Sequence, residues 1–426
     1  MTFRYVFVAV LISAALVISA FMINQYRPAV ETAQPTANFI KASGKCADCH
    51  RNETGAVVHQ FDRSMHNRAG INCLDCHKPV GSQTGVDHNG FVISEGLSAL
   101  NCAQCHKTEY DQFLRSRHAA PAWAAVVGRD DFTPEQIAHA EKYHKGTVDR
   151  NANALALLEG PAAINKGCAE CHDIGKPNPD GSIGTCTACH SRHTASIELA
   201  RTPATCGQCH MGPDHSQIEI YNESKHGVLF AAQKHNFDLT VDPKKLSTAD
   251  MPIPTCSTCH MSGLDGQKVT HDTTERLSWW LFAPVSNKRP TYQSGQNNMK
   301  ETCLKCHTTD HVDTFYAEAE EVVFATNDKI KKVQEIMKGL RDEGLLTPAP
   351  FDEPIEFLYF DIWHYFGRTA KHGAFMGGAD FVQWHGNYEL LLKTIEMEEM
   401  AAEIRAHHKQ KRQEGADHAG AAQATD

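Results

Sequence analysis

Apolar and polar positions divide the chain into stretches of different character. Tyr5 to Ile23 is uncharged and mostly apolar, with Arg4 before it. At 19 residues the run suits one membrane span and exceeds a typical signal h-region. No A-x-A cleavage site follows it, so residues 1–26 are expected to form an uncleaved anchor rather than a cleaved signal. In either case the body is exported. Residues 27–43, rich in Pro, Ala and Thr, read as a linker. From 44 to 312 sustained periodicity is scarce, which predicts short helices and loops. One helix stands out there: Thr133-Pro134-Glu135-Gln136 offers an N-cap, a proline at N1 and a capping-box glutamine, and it is expected to carry His139 and His144. Apolar residues return at helical spacing between Thr314 and Leu346, at Val322, Val323, Ile330, Val333, Ile336, Met337 and Leu340. A second long helix is expected from Tyr388 to Lys411, with Leu390, Leu391, Ile395, Met400 and Ile404. These stripes suit core packing first, with a share for an oligomer interface. Region 313–413 is thus helical, and 414–426 is expected to be a disordered tail.

Composition changes this picture in one respect. Hydrophobic residues make up 41%, slightly below the usual globular share. Something besides aliphatic side chains must fill part of the interior. A net charge of −10 argues against nucleic acid as a partner. The 16 cysteines first suggest disulfides, but their positions remove that reading. They fall as Cys46/Cys49, Cys73/Cys76, Cys102/Cys105, Cys168/Cys171, Cys186/Cys189, Cys206/Cys209, Cys256/Cys259 and Cys303/Cys306. Each C-x-x-C is followed at once by histidine: His50, His77, His106, His172, His190, His210, His260 and His307.

C-x-x-C-H is the attachment signature of c-type heme. On a helical turn, positions i, i+3 and i+4 share one side, so two thiols reach one porphyrin edge while the histidine reaches the iron. Zinc is the competing reading, but a C-x-x-C zinc site needs no following histidine. At this chain's histidine frequency, eight chance placements have odds of roughly 10⁻¹⁰. Eight covalent hemes are therefore expected, and electron transfer is the default function. Of 26 histidines, 18 lie outside the motifs and are candidates for second axial ligands. The preferred seven are His66, His118, His193, His226, His271, His372 and His385. His59, His144, His311 and His364 stand in reserve. His407, His408 and His418 look solvated. A pure conduit would ligate all eight irons twice, whereas an enzyme would leave one open. No calcium motif is present, although the many loops leave calcium open as an additional ion.

Three segments carry a further likeness: Cys206-Gly-Gln-Cys209-His210-Met211-Gly212-Pro213-Asp214-His215, Ser224-Lys225-His226-Gly227, and above all the stretch from His372-Gly373-Ala374-Phe375-Met376-Gly377-Gly378-Ala379-Asp380-Phe381 to Val382-Gln383-Trp384-His385-Gly386. With the eight motifs, they make the chain resemble the octaheme hydroxylamine oxidoreductase family over roughly residues 44 to 400. No C-x-x-C-K occurs, which argues against the related octaheme nitrite reductases. The resemblance implies a mostly helical subunit, a homotrimer, seven bis-histidine hemes and an open fourth heme on His172. It maps the distal acid–base pair onto Asp214 and His215, and a distal tyrosine onto Tyr316. In oxidative members a tyrosine from a neighbouring subunit bonds to the catalytic porphyrin. The matching residue here is Phe381, which has no phenolic oxygen.

The resemblance therefore points to reduction of nitrite and hydroxylamine to ammonium. Hydroxylamine or hydrazine oxidation and a non-catalytic conduit are the alternatives. It also implies a quinol-linked multiheme partner at the periplasmic side of the cytoplasmic membrane. From the residues alone, an Asp-His pair after Gly212-Pro213 could equally be a solvated turn.

Overall fold

A computed structural model of the chain describes residues 37–423 apart from Ser262, together with Ala15 and Ser19. The predicted span at Tyr5–Ile23 otherwise lies outside the described residues, as does the linker up to Thr36. Among the described residues, no helix is long and apolar enough to cross a membrane. The chain divides into two compact units, Met1–Asp75 and Cys76–Asp426, and the division falls inside the second C-x-x-C-H motif.

In the first unit, the Ala37–Glu53 helix carries Cys46, Cys49 and His50. It begins inside the stretch expected to be linker, because the last breaker, Pro35, lies upstream of it. A Gly55–Asp62 helix follows. The Met65–Arg68 turn, which carries His66, is capped by Ser64, whose Oγ accepts the Asn67 N–H at 3.0 Å.

The second unit is mostly helical, as its sequence predicts. The region up to His307 is a succession of short helices, many started by Ser or Thr caps at residues such as Ser98, Thr133, Ser196 and Ser224. The motif turns share one feature. The main-chain N–H of His106, His190, His210 and His307 donates to the carbonyl of its own first cysteine, at 2.9, 3.0, 3.0 and 2.9 Å. This closes an α-turn that puts both thiols and the imidazole on one side. The sheet is a single hairpin, Gly85–His88 with Phe91–Ser94, turned by Asn89 and Gly90, both at positive φ. Asn-Gly is the usual sequence for such a two-residue turn.

The capping box at Thr133 and Gln136 starts the Pro134–Glu141 helix as predicted. His144, however, lies past its end. There the Glu141 carboxylate accepts the N–H groups of Gly146, Val148 and Asp149 and folds the chain back.

The C-terminal part is built on two long helices, Thr309–Asp342 and Glu389–Gln423. The first starts ahead of the expected Thr314, because the Thr308 side chain caps it. The second continues past Glu414, where the sequence predicts a disordered tail. Ala416, Ala419, Ala421 and Ala422 favour helix there. Between them lie Pro354–Asp361, Gly367–Met376 and Ala379–Val382, with π-helical turns at Ile362–Phe366 and Gln383–Tyr388. The buried cluster here is aliphatic: Ile330, Val333, Met337, Leu340, Ile355, Ile362, Leu390 and Met397, closed by Ala401. The motif region has smaller clusters, one around Trp123, Phe132, Val148 and Ile183 and one of Leu246, Met251 and Leu264.

Candidate functional site

The motif histidines do not stand alone. His193 faces His77 with ring centroids 6.3 Å apart, and His271 faces His190 at 6.4 Å. His118 faces His210 at 5.8 Å, and His226 faces His307 at 6.0 Å. An iron with an imidazole nitrogen about 2 Å away on either side sets two ring centroids roughly 6 Å apart. These four pairs therefore fit bis-histidine heme ligation. Their environment favours the neutral imidazole that a metal needs. Burial, with neighbouring histidines, pushes His118 down to about 3, and burial lowers His226 and His271. His260 is pushed down to about 4, by burial first and then by His210 and Arg276.

Thiols of different motifs also approach one another. Cys102 meets Cys186, Cys171 meets Cys209, and Cys206 meets Cys256 through side-chain hydrogen bonds. The spatial order is thus not the sequence order: the third motif adjoins the fifth, and the fourth adjoins the sixth.

The two cysteines of the third motif sit in different surroundings. Cys102 is half-buried beside Cys186, whereas Cys105 is exposed. The reason is local. The Ala99–Ala103 helix ends before Cys105, which falls in the turn ahead of the Lys107–Phe113 helix. The Cys105 N–H still donates to the Cys102 carbonyl at 3.1 Å, so the two residues keep the spacing that the motif requires. Cys49 and Cys306 are likewise exposed, while the other cysteines are half-buried.

His172 lies on the Ala169–His172 turn, entered through a π-helical turn at Ile164–Cys168. Its Nδ1 is 2.6 Å from the Ala122 carbonyl, which leaves Nε2 for a metal. Gly175 permits the close approach of these segments, since a Cβ there would sit 2.0 Å from the Ala119 carbonyl. Burial lowers the His172 pKa despite that hydrogen bond.

Asp214 and His215 follow a turn at Gly212, whose φ is 83°. Its N–H donates to Glu219 Oε1 at 3.0 Å. Asp214 Oδ2 lies 2.5 Å from His215 Nδ1, and the His215 ring is 6.4 Å from that of His172, edge-on. The pair is partly buried rather than a solvated turn, with side chains 29% and 27% exposed. Burial raises the Asp214 carboxyl, but the His215 hydrogen bond and the charges of His215, His364 and Arg368 outweigh it and hold it low. This arrangement fixes the His215 tautomer and presents its Nε2 edge. It suits proton delivery to a ligand on iron beside His172. It also suits ligation, since 6.4 Å matches the spacing of the paired histidines.

Sequence reasoning passed over the wall behind this pair. Phe282 packs on His215 at 5.2 Å and on His372 at 4.7 Å. Arg368 donates through Nε to the Phe282 carbonyl at 3.1 Å, and its Nη1 lies 2.9 Å from His364 Nε2. Lys371 is fully buried and donates to the carbonyls of Ala283 and Pro284 at 3.0 and 3.2 Å. Burial, then Arg368, pushes it down to about 7. The signal was present as Arg368, Lys371 and His372 at i, i+3 and i+4, set just ahead of the stretch used for the family likeness.

The remaining predicted residues are placed as follows. His372 Nδ1 lies 2.9 Å from the Arg368 carbonyl, and its ring faces Phe282. His385 Nε2 lies 3.1 Å from Asp380 Oδ2, and its ring packs at a tilt on Phe381 at 5.0 Å. Phe381 is itself buried. Tyr316 is buried near Cys303 and Cys259, with Phe375 at 5.8 Å and the Lys300 amine at 4.9 Å from its ring. It thus lies beside cysteines of the seventh and eighth motifs. Among the reserves, His311 stacks on His307 at 4.7 Å, and His364 stacks on Phe360 at 4.1 Å.

Comparison with known proteins fits this geometry. Residues 69–354 match the family profile described as "Seven times multi-haem cytochrome CxxCH". The chain belongs to this multiheme cytochrome family. The matched stretch contains the seven motifs from Cys73 to His307, and the Cys46 motif precedes it. Membership implies covalently attached c-type hemes, and the thiol turns and histidine pairs fit them. The cytochrome is 24% identical over 374 residues, 73% of its length, to a "Probable nitrite reductase-hydroxylamine oxidoreductase fusion protein" of Kuenenia stuttgartiensis. It spans only 39% of that relative's own length. A solved "Hypothetical multiheme protein" shares its fold at a TM-score of 0.74 and 20% identity, covering 89% of this chain and 98% of the other. A chain of the Kuenenia stuttgartiensis reducing HAO-like protein complex does so at 0.67 and 19%, covering 87% of each.

Proposed function

We propose that this multiheme cytochrome carries eight hemes and reduces nitrite and hydroxylamine to ammonium at the iron held by His172. The Asp214–His215 pair beside His172 carries the reading. Bound hemes supply electrons and an iron site for the substrate nitrogen. Nitrite takes six electrons and eight protons to reach ammonium and two waters; hydroxylamine takes two electrons and three protons. His215 hands protons to the departing oxygen atoms from its Nε2 edge, while Asp214 on Nδ1 orients the ring for that transfer. Asp214 holds the ring through Nδ1 and steadies its cationic form. Arg368 places positive charge behind the pair and favours an anionic substrate. Phe381, lacking a phenolic oxygen, favours the reducing direction. Export to the periplasmic side is supported by the apolar run at Tyr5–Ile23. A homotrimer is supported by exposed Trp384, Tyr388, Leu391 and Ile395 on and before the last helix. The solved Kuenenia stuttgartiensis neighbour is a protein complex, which supports a redox partner for this chain, and the family likeness supports a quinol-linked multiheme cytochrome in that role.

The test is anaerobic turnover of the holoprotein with a reduced viologen dye, nitrite or hydroxylamine, and ammonium analysis. His215→Ala should lower turnover on the order of 10²-fold while all hemes stay attached. Unchanged turnover would sink the assignment. The conduit reading draws on the 6.4 Å between His172 and His215, a spacing at which His215 could be a second ligand. EPR separates the two: one high-spin heme in eight supports catalysis, and all low-spin hemes support the conduit.

A further inference from the structure

Two arginines and a neutral histidine of the second unit converge, with burial and the arginines pushing the histidine, His144, down to about 4. Arg117 Nη1, Arg289 Nε and His144 Nε2 are buried and have no hydrogen-bond partner among the described residues. The Arg289 guanidinium lies 3.9 Å from the centre of the Trp280 ring, and that of Arg117 lies 5.0 Å from the same ring. His144, only 5% exposed, is hydrogen-bonded to the main chain at Ser116 and Arg115 and feels the charge of both arginines. Arg150 adds a further positive field at Arg117. Asp272 is the carboxylate whose charge reaches Arg289, but it is occupied with the Thr274 N–H at 3.0 Å and the Thr274 hydroxyl at 2.6 Å.

Buried arginines elsewhere in the chain behave differently. Arg201 donates to the carbonyls of Leu239 and Val241 at 2.9 and 2.6 Å. Arg276 donates to the carbonyls of Thr258, Cys259 and Lys268 at 3.3, 2.9 and 2.7 Å. These are structural arginines, satisfied by main chain. Arg117 and Arg289 keep buried donors unspent, side by side, which is costly unless an anion completes the site.

The position of the cluster indicates which anion. Arg117 adjoins His118, which faces His210, and Asp272 adjoins His271, which faces His190. The two segments are tied by Ser116 Oγ and Thr273 Oγ1, 2.8 Å apart. Each heme carries two carboxylates on the edge away from its thioether bonds. We propose that Arg117, Arg289 and His144, backed by Trp280, receive a propionate carboxylate of one of the two hemes whose distal histidines these segments carry. A forked guanidinium suits a carboxylate, and the indole holds it flat. The inference rests on heme loading and not on the direction of the reaction.

Spectroelectrochemical titration of the holoprotein at pH 6, 7 and 8 tests it, with heme content measured alongside. A cation beside a propionate favours the reduced heme. Arg289→Gln and, independently, Arg117→Gln should each keep the full heme content and move one component to lower potential. The expected shift is about tenfold in its reduced-to-oxidised ratio, about 59 mV for one electron. The same component should gain a pH dependence, its potential falling as pH rises through the released propionate's pKa. Arg289→Lys, which keeps the charge, should stay near the parent potential. Added acetate should leave the parent protein's curve unmoved, because the site is already filled. Unmoved potentials in both glutamine variants would overturn the proposal. A parent curve that shifts with acetate would show a site for free anions and overturn the propionate assignment. None of these readouts involves turnover, so failure here is distinct from failure of the nitrite reading.

Discussion

The stretch Cys76–His307 and the stretch Thr309–Gln423 solve the packing problem in different ways. The second buries an aliphatic stripe, with Ile330, Val333 and Leu340 of one helix against Leu390 and Met397 of the other. The first has fewer large aliphatic residues in its interior. Its buried groups include Ser116, His144, Thr255, Thr258, Thr270 and Arg276. Short helices with polar interiors cannot bury enough apolar surface to offset their ordering entropy unaided. The difference places the missing apolar volume in the porphyrins that the C-x-x-C-H turns hold. One region is an ordinary helical bundle; the other is built around its cofactors.

That contrast can be broken most directly at the seventh motif. Cys256→Ser with Cys259→Ser removes the thioether bonds of one heme. Cys256 meets Cys206 of the sixth motif, and Cys259 feels Cys303 of the eighth, so the loss should spread to neighbours. Hydrogen exchange is the measurement. Protection should collapse between residues 203 and 307 while the helix core around Ile330 and Leu390 remains protected. Equal loss in both regions would mean that the bundle also depends on the hemes, and the contrast would fail.

The reverse perturbation is smaller. Ile330 is fully buried in the aliphatic cluster and also packs against Gly367. Ile330→Ala should cost about 2–5 kcal/mol, the range for emptying a well-packed site. Thermal unfolding should shift down by about 2–4 °C for each kcal/mol. The heme absorption spectrum below the transition should be unchanged. A spectral change in the folded variant would show that the bundle positions the hemes, not merely that it adjoins them.

The two regions also differed in how far they could be read from residues alone. The long helices were visible because apolar residues recur at helical spacing, and only their ends moved, at the Thr308 cap and through the alanine-rich tail. In the motif region periodicity carried little, but the cysteine spacing fixed the thiol turns. Spacing could not say which motifs adjoin in space: Cys102 of the third meets Cys186 of the fifth. Distal histidines could be named as types yet not paired, because His193 and His271 reach motif histidines far along the chain. The hairpin at Asn89-Gly90 had a legible turn signal that was passed over. The Asp214–His215 pair came from a local segment and lies beside His172. Tyr316 came from the family likeness and lies beside cysteines of the seventh and eighth motifs. Arg368 and Lys371 were passed over because their spacing from His372 marks a shared helix face but not its burial. The carbonyls of Phe282, Ala283 and Pro284, brought in by tertiary folding, accept from them, and His364 Nε2 lies beside Arg368 Nη1.

The smallest expected effect concerns a polar device in the motif region. Burial raises the Glu141 carboxyl, but main-chain hydrogen bonds from Gly146, Val148, Asp149 and Thr147 outweigh that and lower its pKa. A carboxyl lowered on folding stabilises the folded state fully above its unfolded pKa of about 4.3, and the contribution is lost as pH falls through the lower folded value. Glu141→Gln has no charge to lose. It should cost at most about 1 kcal/mol at neutral pH, since the side chain is partly exposed. The difference in thermal midpoint between parent and variant should be constant from pH 7 to 5 and narrow below about pH 4. A gap that stays constant into acid would mean that shape, not charge, holds the turn that carries His144 past the helix end. His144 is one wall of the cation cluster at Arg117 and Arg289, so the variant would then disturb that cluster by geometry alone.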